Sequence, residues 1–394
     1  MMNRELINRI FYVGVNDRQK TMFENMLPLP YGVSYNSYFI DDEKTVLIDT
    51  VEQPFAERLL DQIKELLNGR KLDYLVVNHM EPDHSSGIRT LMAVYPDMKI
   101  VANNKTIDML CGYYGITDGF HIVKDGDTLS IGSRTLQFHF APMVHWPEVM
   151  MTYVVEDKVL FSADAFGCFG TLDGSILDTQ INLNKYMDEM VRYYACIVGK
   201  FGMPVQKALA KLATLPLNMI CSTHGPIWTE HIPEVVAAYD RLSKYETEEG
   251  VVIAYGSMYG HTQEMAEMVA RGAASVTKNV VLHDVSRSDV SFILADIFRY
   301  KGFVCGSPTY CGELYPGIES LLSKINIRGI KNHQFGCFSC FTWANGTKKP
   351  FTAFAEAMAW DSLPMIEVKQ SMSSENAQAL YDLGREIALK SQVK

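Results

Sequence analysis

Four stretches of this chain share one pattern, and it limits the fold more than any other feature. In Tyr74-Leu-Val-Val-Asn-His79-Met-Glu81-Pro-Asp83-His84 a β-branched apolar run stops, and four ligand-type side chains follow within six positions. His145 comes after Thr135-Leu-Gln-Phe-His-Phe-Ala141, Asp164 after Lys158-Val-Leu-Phe-Ser162, and His224 after Leu217-Asn-Met-Ile-Cys221. Such runs form strands. Strand ends on one side of a sheet lie close together however far apart they are in sequence. The pattern therefore asks for a sheet edge that gathers His79, Glu81, Asp83, His84, His145, Asp164 and His224 at one point. One such turn alone also reads as a solvated turn, because Asp and His are common there. Four of them point to a metal. Imidazole and carboxylate donors without thiolate suit zinc, iron or manganese. Seven donors are too many for one tetrahedral ion; they suit two ions, each with three terminal ligands and a share in one bridging carboxylate.

A length of 394 residues allows two domains. The formal net charge of -10 argues against nucleic acid as a partner, because a phosphate backbone needs a basic footprint. The N-terminus lacks a secretory pattern and no run of about 18 apolar residues occurs, so neither export nor a membrane span is expected. Most of the 8 cysteines sit in apolar runs, as reduced thiols of a cytoplasmic protein do. Cys337 and Cys340 make a single C-x-x-C, which reads as core, since a rubredoxin-type iron site needs two such pairs.

Residues 1–248 mix strands, helices and hairpin signals. Residues 7–16 read as one strand, 35–40 and 44–49 as a hairpin around Asp41-Asp-Glu43, and 53–67 as a helix stopped by Gly69. Helical patterns at 187–214, with Pro204 as a break, and at 232–244 close the unit. A sandwich of two mixed sheets flanked by helices fits. The acidic, Gly-ended stretch 246–250 marks the boundary. From 249 to 394 strand, loop and helix alternate, with strands at 251–255, 280–284, 302–305, 334–339 and 365–368. That order implies right-handed parallel crossovers and a doubly wound sheet.

Such a sheet binds ligands at the carboxyl ends of its strands. The loop Ser257-Met258-Tyr259-Gly260-His261-Thr262 lies there and opens a helix, so its amides and hydroxyls can cradle an anion. It carries no Lys or Arg and no Walker pattern, which suits one phosphate held mainly by amides. The following strand-end loops, Ser307-Pro308-Thr309-Tyr310-Cys-Gly312 and Cys340-Phe341-Thr342-Trp343-Ala-Asn-Gly346, bring Tyr310 and Trp343 to flank a flat ring. Together the three loops suggest FMN.

The H-x-E-x-D-H motif at 79–84, then His145, Asp164 and His224, then a flavodoxin-like module, resembles the flavodiiron proteins over essentially the whole chain. Glu81 carries the resemblance most specifically, standing where zinc hydrolases of the metallo-β-lactamase fold keep histidine. The resemblance implies a metallo-β-lactamase-like αββα sandwich, a flavodoxin-like FMN domain, and reduction of dioxygen to water or nitric oxide to nitrous oxide at a non-haem diiron site. It assigns His79, Glu81 and His145 to one iron, Asp83, His84 and His224 to the other, and Asp164 to the bridge. It places Tyr194 near the substrate pocket. It implies an external electron donor, rubredoxin or a deazaflavin, since no rubredoxin or nicotinamide module is expected in the chain. A head-to-tail homodimer or dimer of dimers is implied as well. The third flavin loop departs from the Gly-rich form of relatives, and His261 stands where Asn or Ser is more usual. Two other readings are a zinc hydrolase that gained a flavodoxin domain and a pure electron carrier. Glu81 argues against the first, and the complete ligand set against the second.

Overall fold

The computed structural model describes residues 4–392. They divide into two compact units, one running to Tyr193 and resuming over Met203–Asp240, the other comprising Tyr194–Gly202 and the chain from Arg241 onward.

The first unit holds two mixed sheets. In one, seven strands lie in the order Arg4–Ile7, Ile10–Tyr12, Tyr38–Ile40, Val46–Ile48, Tyr74–Val76, Lys99–Ala102 and Phe120–Ile122. In the other, five lie in the order Thr128–Ser130, Thr135–Phe140, Met150–Val154, Val159–Phe161 and Met219–Cys221. Strands covered on both faces should read as unbroken apolar runs. Val46–Ile48, Met150–Val154 and Val159–Phe161 are buried at every residue. Tyr38 of one sheet meets Phe161 of the other at 5.1 Å between ring centroids, so the two sheets pack face to face. Helices lie outside them. Ala56–Leu67, for example, buries Ala56, Leu59, Ile63 and Leu67, one helical stripe. It ends on Asn68 in the left-handed region. This is the metallo-β-lactamase-like sandwich expected.

Three local expectations change. Residues 7–16 are not one strand, because Asn8 and Arg9 both take positive φ and turn Arg4–Ile7 back on Ile10–Tyr12 as a hairpin. The helical stretch after 187 is interrupted by a π-helical segment, Tyr194–Val198, before the helix Gly202–Leu212 begins. Pro204 sits in the first turn of that helix, where its missing N–H costs nothing. The stretch 246–250 is not a free linker, since the strand Glu248–Tyr255 has already begun.

In the second unit the strands run in the order Val280–Asp284, Glu248–Tyr255, Tyr300–Pro308 and Gln334–Phe341, with Asp361–Ser362 and Ile366–Lys369 both pairing the last of these, all parallel. That is the flavodoxin-like order. The core on one face joins Val251, Ile253, Val304 and Phe338 to the helices His261–Ala274 and Ser374–Lys390. All eight cysteines are free. Among the described residues no helix is long and apolar enough to cross a membrane.

Candidate functional site

The four ligand loops leave the carboxyl ends of Tyr74–Val76, Thr135–Phe140, Val159–Phe161 and Met219–Cys221. They are tied to one another by their backbones: Ser162 N–H donates to Cys221 O at 3.2 Å, and Thr223 N–H to Ala163 O at 3.0 Å. Asp49, with positive φ, accepts Asn78 N–H at 2.7 Å and His79 N–H at 3.3 Å, which holds the first loop.

All seven expected ligands meet, and all are buried. They form two groups, His79, Glu81, His145 and Asp164 in one, Asp83, His84 and His224 in the other. Asp164 faces both. Its Oδ2 lies 3.1 Å from His145 Nε2 and 3.5 Å from His79 Nε2. Its Oδ1 lies 3.2 Å from His84 Nε2 and 3.9 Å from His224 Nε2. Glu81 Oε2 completes the first group at 3.3 Å from His79 Nε2 and 3.1 Å from His145 Nε2. Asp83 Oδ2 completes the second at 3.4 Å from both His84 Nε2 and His224 Nε2.

The chemistry of these atoms fits a pair of cations. His79 Nδ1 is bonded to Glu148 Oε1 at 2.8 Å, and His224 Nδ1 to Ser34 O at 2.7 Å. Those acceptors take a hydrogen bond from Nδ1, so Nε2 is the ring nitrogen that faces the cluster. The Nε2 atoms of His84 and His224 face each other at 3.0 Å, and neither oxygen of buried Asp83 has a hydrogen-bond donor. Lone pairs converging in a buried site require positive charge. In the metal-free protein protons supply it. Burial opposes protonation of His84, but Asp83 and Asp164 hold its pKa up at about 9. Burial is likewise overcome at His145, which Asp164 and Glu81 keep at about 9. Burial would raise the Asp164 carboxyl, yet the surrounding imidazoles hold it well below the ordinary range.

Aromatic rings enclose the cluster. Phe23 and Tyr193 each stand 5.5 Å from the His224 ring, Tyr35 stands 6.0 Å from it, and Trp146 stands 5.4 Å from His79. The Tyr193 hydroxyl is buried without a hydrogen-bond partner. Tyr194, the tyrosine expected at the pocket, is not brought there. It belongs to the second unit and packs on Phe298 at 5.9 Å. Adjacent helical residues point about 100° apart, and it is Tyr193 that turns toward the ligands. Sequence reasoning also missed Phe23, Tyr35, Trp146, Glu148 and Ser34. Only Glu148, an acidic residue three positions after His145 in an otherwise apolar stretch, left any signal.

In the second unit the three expected loops lie together at the carboxyl ends of their strands. Gly260, at φ +98°, caps the helix His261–Ala274, and its N–H donates to Ser257 Oγ at 3.1 Å. Thr262 is buried. Ser307 Oγ accepts Tyr315 N–H at 2.9 Å, which shapes the second loop. That loop is joined to the third: Thr309 N–H donates to Cys340 O at 2.9 Å, and Gly346 N–H to Thr309 Oγ1 at 3.1 Å. A Cβ on Gly346 would stand 1.9 Å from Gly312 O, so this glycine is required by the contact between loops. Tyr259 and Trp343 are 90% and 87% exposed and Tyr310 45%, free of the core and available to a flat ligand. Open amides beside a left-handed glycine, with aromatic surfaces at the rim, fit a flavin mononucleotide.

Residues 33–225 match the family described as ODP family beta lactamase, and residues 253–382 match flavodoxin. A nitric oxide reductase of Moorella thermoacetica is 33% identical over 388 residues, 97% of each chain. The flavodiiron protein of Giardia intestinalis superposes with a TM-score of 0.95 at 30% identity, covering 99% of this chain and 97% of that one. This chain belongs to the flavodiiron protein family. Other members it resembles include the anaerobic nitric oxide reductase flavorubredoxin of Escherichia coli, 31% identical over 97% of this chain and 81% of that one. Rubredoxin oxygen:oxidoreductase of Desulfovibrio gigas superposes with a TM-score of 0.94 at 28% identity, over 99% of this chain and 98% of that one. Membership accounts for both halves, an acidic metal centre in a β-lactamase-like unit and a flavodoxin-like unit in one polypeptide.

Proposed function

We propose that this protein is a flavodiiron oxidoreductase that reduces dioxygen to water, nitric oxide to nitrous oxide, or both. In this reading residues 1–248 form the diiron domain and 249–394 the FMN domain. The observation that carries it is the Asp164 carboxylate, whose two oxygens face separate ligand groups, so that this side chain could serve both metal positions. When bound, two iron ions supply adjacent electrophilic positions and stored electrons, and FMN accepts electrons in pairs and passes them on singly.

The chain's own residues do the rest. His79, Glu81 and His145 would hold one ion and Asp83, His84 and His224 the other. Glu81, Asp83 and Asp164 neutralise most of the charge of two divalent ions, and replacing a hydrolase histidine by Glu81 favours iron over zinc. Phe23, Tyr35 and Trp146 pack against the cluster and limit the access of bulk water. The Tyr193 hydroxyl, with no partner of its own, is free to donate a hydrogen bond to a small oxidant beside His224. Ser257, Thr262 and the amides of Met258, Tyr259 and His261 would hold the FMN phosphate, with Gly260 N–H tied to Ser257 Oγ. The loops Ser307–Gly312 and Phe341–Gly346 flank the flavin ring with Tyr310 and Trp343.

Electrons come from a separate donor in the cytoplasm, rubredoxin or a deazaflavin, and the working assembly is a head-to-tail homodimer or a dimer of such dimers. Rubredoxin is favoured by the name of the Desulfovibrio gigas relative, a rubredoxin oxygen:oxidoreductase, and the paired assembly by two cofactors that must exchange electrons. The test is anaerobic reduction of FMN- and iron-loaded protein, followed by parallel titration with dioxygen and nitric oxide. Reoxidation by at least one gas, with water or nitrous oxide as product, is expected. Reoxidation by neither would replace this reading by the electron-carrier one, and hydrolysis of esters or lactams without reductant by the hydrolase one.

A further inference from the structure

The two halves of the metal cluster are backed differently. His79 Nδ1 donates to Glu148 Oε1 at 2.8 Å, with both side chains fully buried. His224 Nδ1 meets only a neutral dipole, the Ser34 carbonyl at 2.7 Å. His84 Nδ1 is buried with no hydrogen-bond partner. A carboxylate behind an imidazole fixes its tautomer and strengthens the opposite nitrogen as a donor; a carbonyl does so less, and an empty position not at all.

Glu148 is itself held firmly. Its Oε1 also accepts Met80 N–H at 2.9 Å, and its main-chain carbonyl accepts Asn103 Nδ2 at 2.7 Å. Its Oε2 is buried without a partner. If its task were only to hold the Met80 amide, a glutamine would serve and would not leave half an anion unsatisfied in the interior. A buried anion is favourable where it acts through His79 on excess positive charge.

We propose that Glu148 is a positioning residue that makes the two metal positions unequal. Acting through His79, it strengthens the position formed by His79, Glu81 and His145. That position takes up a divalent cation first and holds it longer. The position formed by Asp83, His84 and His224 fills second and empties first. The inference rests on the two-metal reading above.

The experiment uses full-length protein with FMN retained and metal removed by chelation, titrated anaerobically with 57Fe(II) and followed by Mössbauer spectroscopy. One equivalent should give a single quadrupole doublet, and the second equivalent a second doublet of equal area. Glu148→Gln preserves the shape and the acceptor for Met80 N–H while removing the charge. It should weaken the tighter dissociation constant by about 10–100-fold, alter the doublet that appears first, and leave the weaker constant in place. A purely structural role would move both constants together. Parallel growth of two doublets from the first addition overturns the proposal, as does a Gln variant with the wild-type pair of constants. Should the variant fail to fold, the order of filling in the wild type still decides. Uptake of fewer than two ions by the wild type would remove the two-metal reading itself, a result distinct from equal filling.

Discussion

Asp164→Asn tests the bridge where its geometry is most specific. Thr223 Oγ1 donates to Asp164 Oδ1 at 2.5 Å, so an asparagine would keep its oxygen on that side and turn its NH2 toward the place of Oδ2. Oδ2 lies 3.1 Å from His145 Nε2 and 3.5 Å from His79 Nε2. The amide would then donate to groups that a cation needs, and one negative charge would be lost. A unit charge about 4 Å from another contributes about 4 kcal/mol at an effective dielectric of 20, equivalent to about a thousandfold in affinity, and a divalent ion stands to lose at least that. The ion held by His79, Glu81 and His145 should therefore be lost, while the other keeps one neutral oxygen. Iron per chain, measured by plasma mass spectrometry, should fall from two to at most one. FMN content should stay at the wild-type level, and turnover of either gas should vanish. Two irons retained together with measurable turnover would refute the bridging assignment.

Tyr193→Phe removes a buried hydroxyl that has no partner, so stability should hold or rise by up to about 1 kcal/mol by thermal melting. Reduction of the preferred gas should slow about tenfold, the order of one hydrogen bond; unchanged rates would exclude the hydroxyl from the reaction. Gly346→Ala would force the third flavin loop away from Gly312 O, now 1.9 Å from where the new methyl would stand, at a cost of about 1–3 kcal/mol. Flavin per chain, read from visible absorbance, should drop while iron content is unchanged. In iron-free protein the pKa values of His84 and His145 stand at about 9, above their ordinary value, because nearby carboxylates outweigh burial. The folded state binds the extra protons, so their stabilising contribution is complete below about pH 6.5 and is lost as pH rises through about 9. The melting temperature of iron-free protein should fall over that window and that of iron-loaded protein should not. The opposite slope would contradict the cluster electrostatics.

The seven clustered side chains were legible because each depends on two local signals, an apolar run and a donor side chain just past its end. The αββα and doubly wound architectures followed from hairpin signals in one half and strand–helix alternation in the other. What supports the ligands was not legible. Ser34, Phe23 and Tyr35 reach the cluster through register and turn geometry, which leave no period in the sequence, and Glu148 left only its acidic character in an apolar stretch. The choice between Tyr193 and Tyr194 turns on the exact phase of one helix where Leu183–Tyr193 gives way to the π-helical segment Tyr194–Val198. A strict α-helical reading cannot resolve that phase. The hairpin inside residues 7–16 depended on Asn8 and Arg9 adopting positive φ, and arginine gives no warning of this.

Diffraction from crystals of the iron-loaded protein, with anomalous differences collected at the iron edge, bears most directly on the central claim. Two iron peaks are predicted about 3.5–4 Å apart, one on each side of the Asp164 carboxylate. A single peak, or two peaks that do not share that side chain, would contradict it.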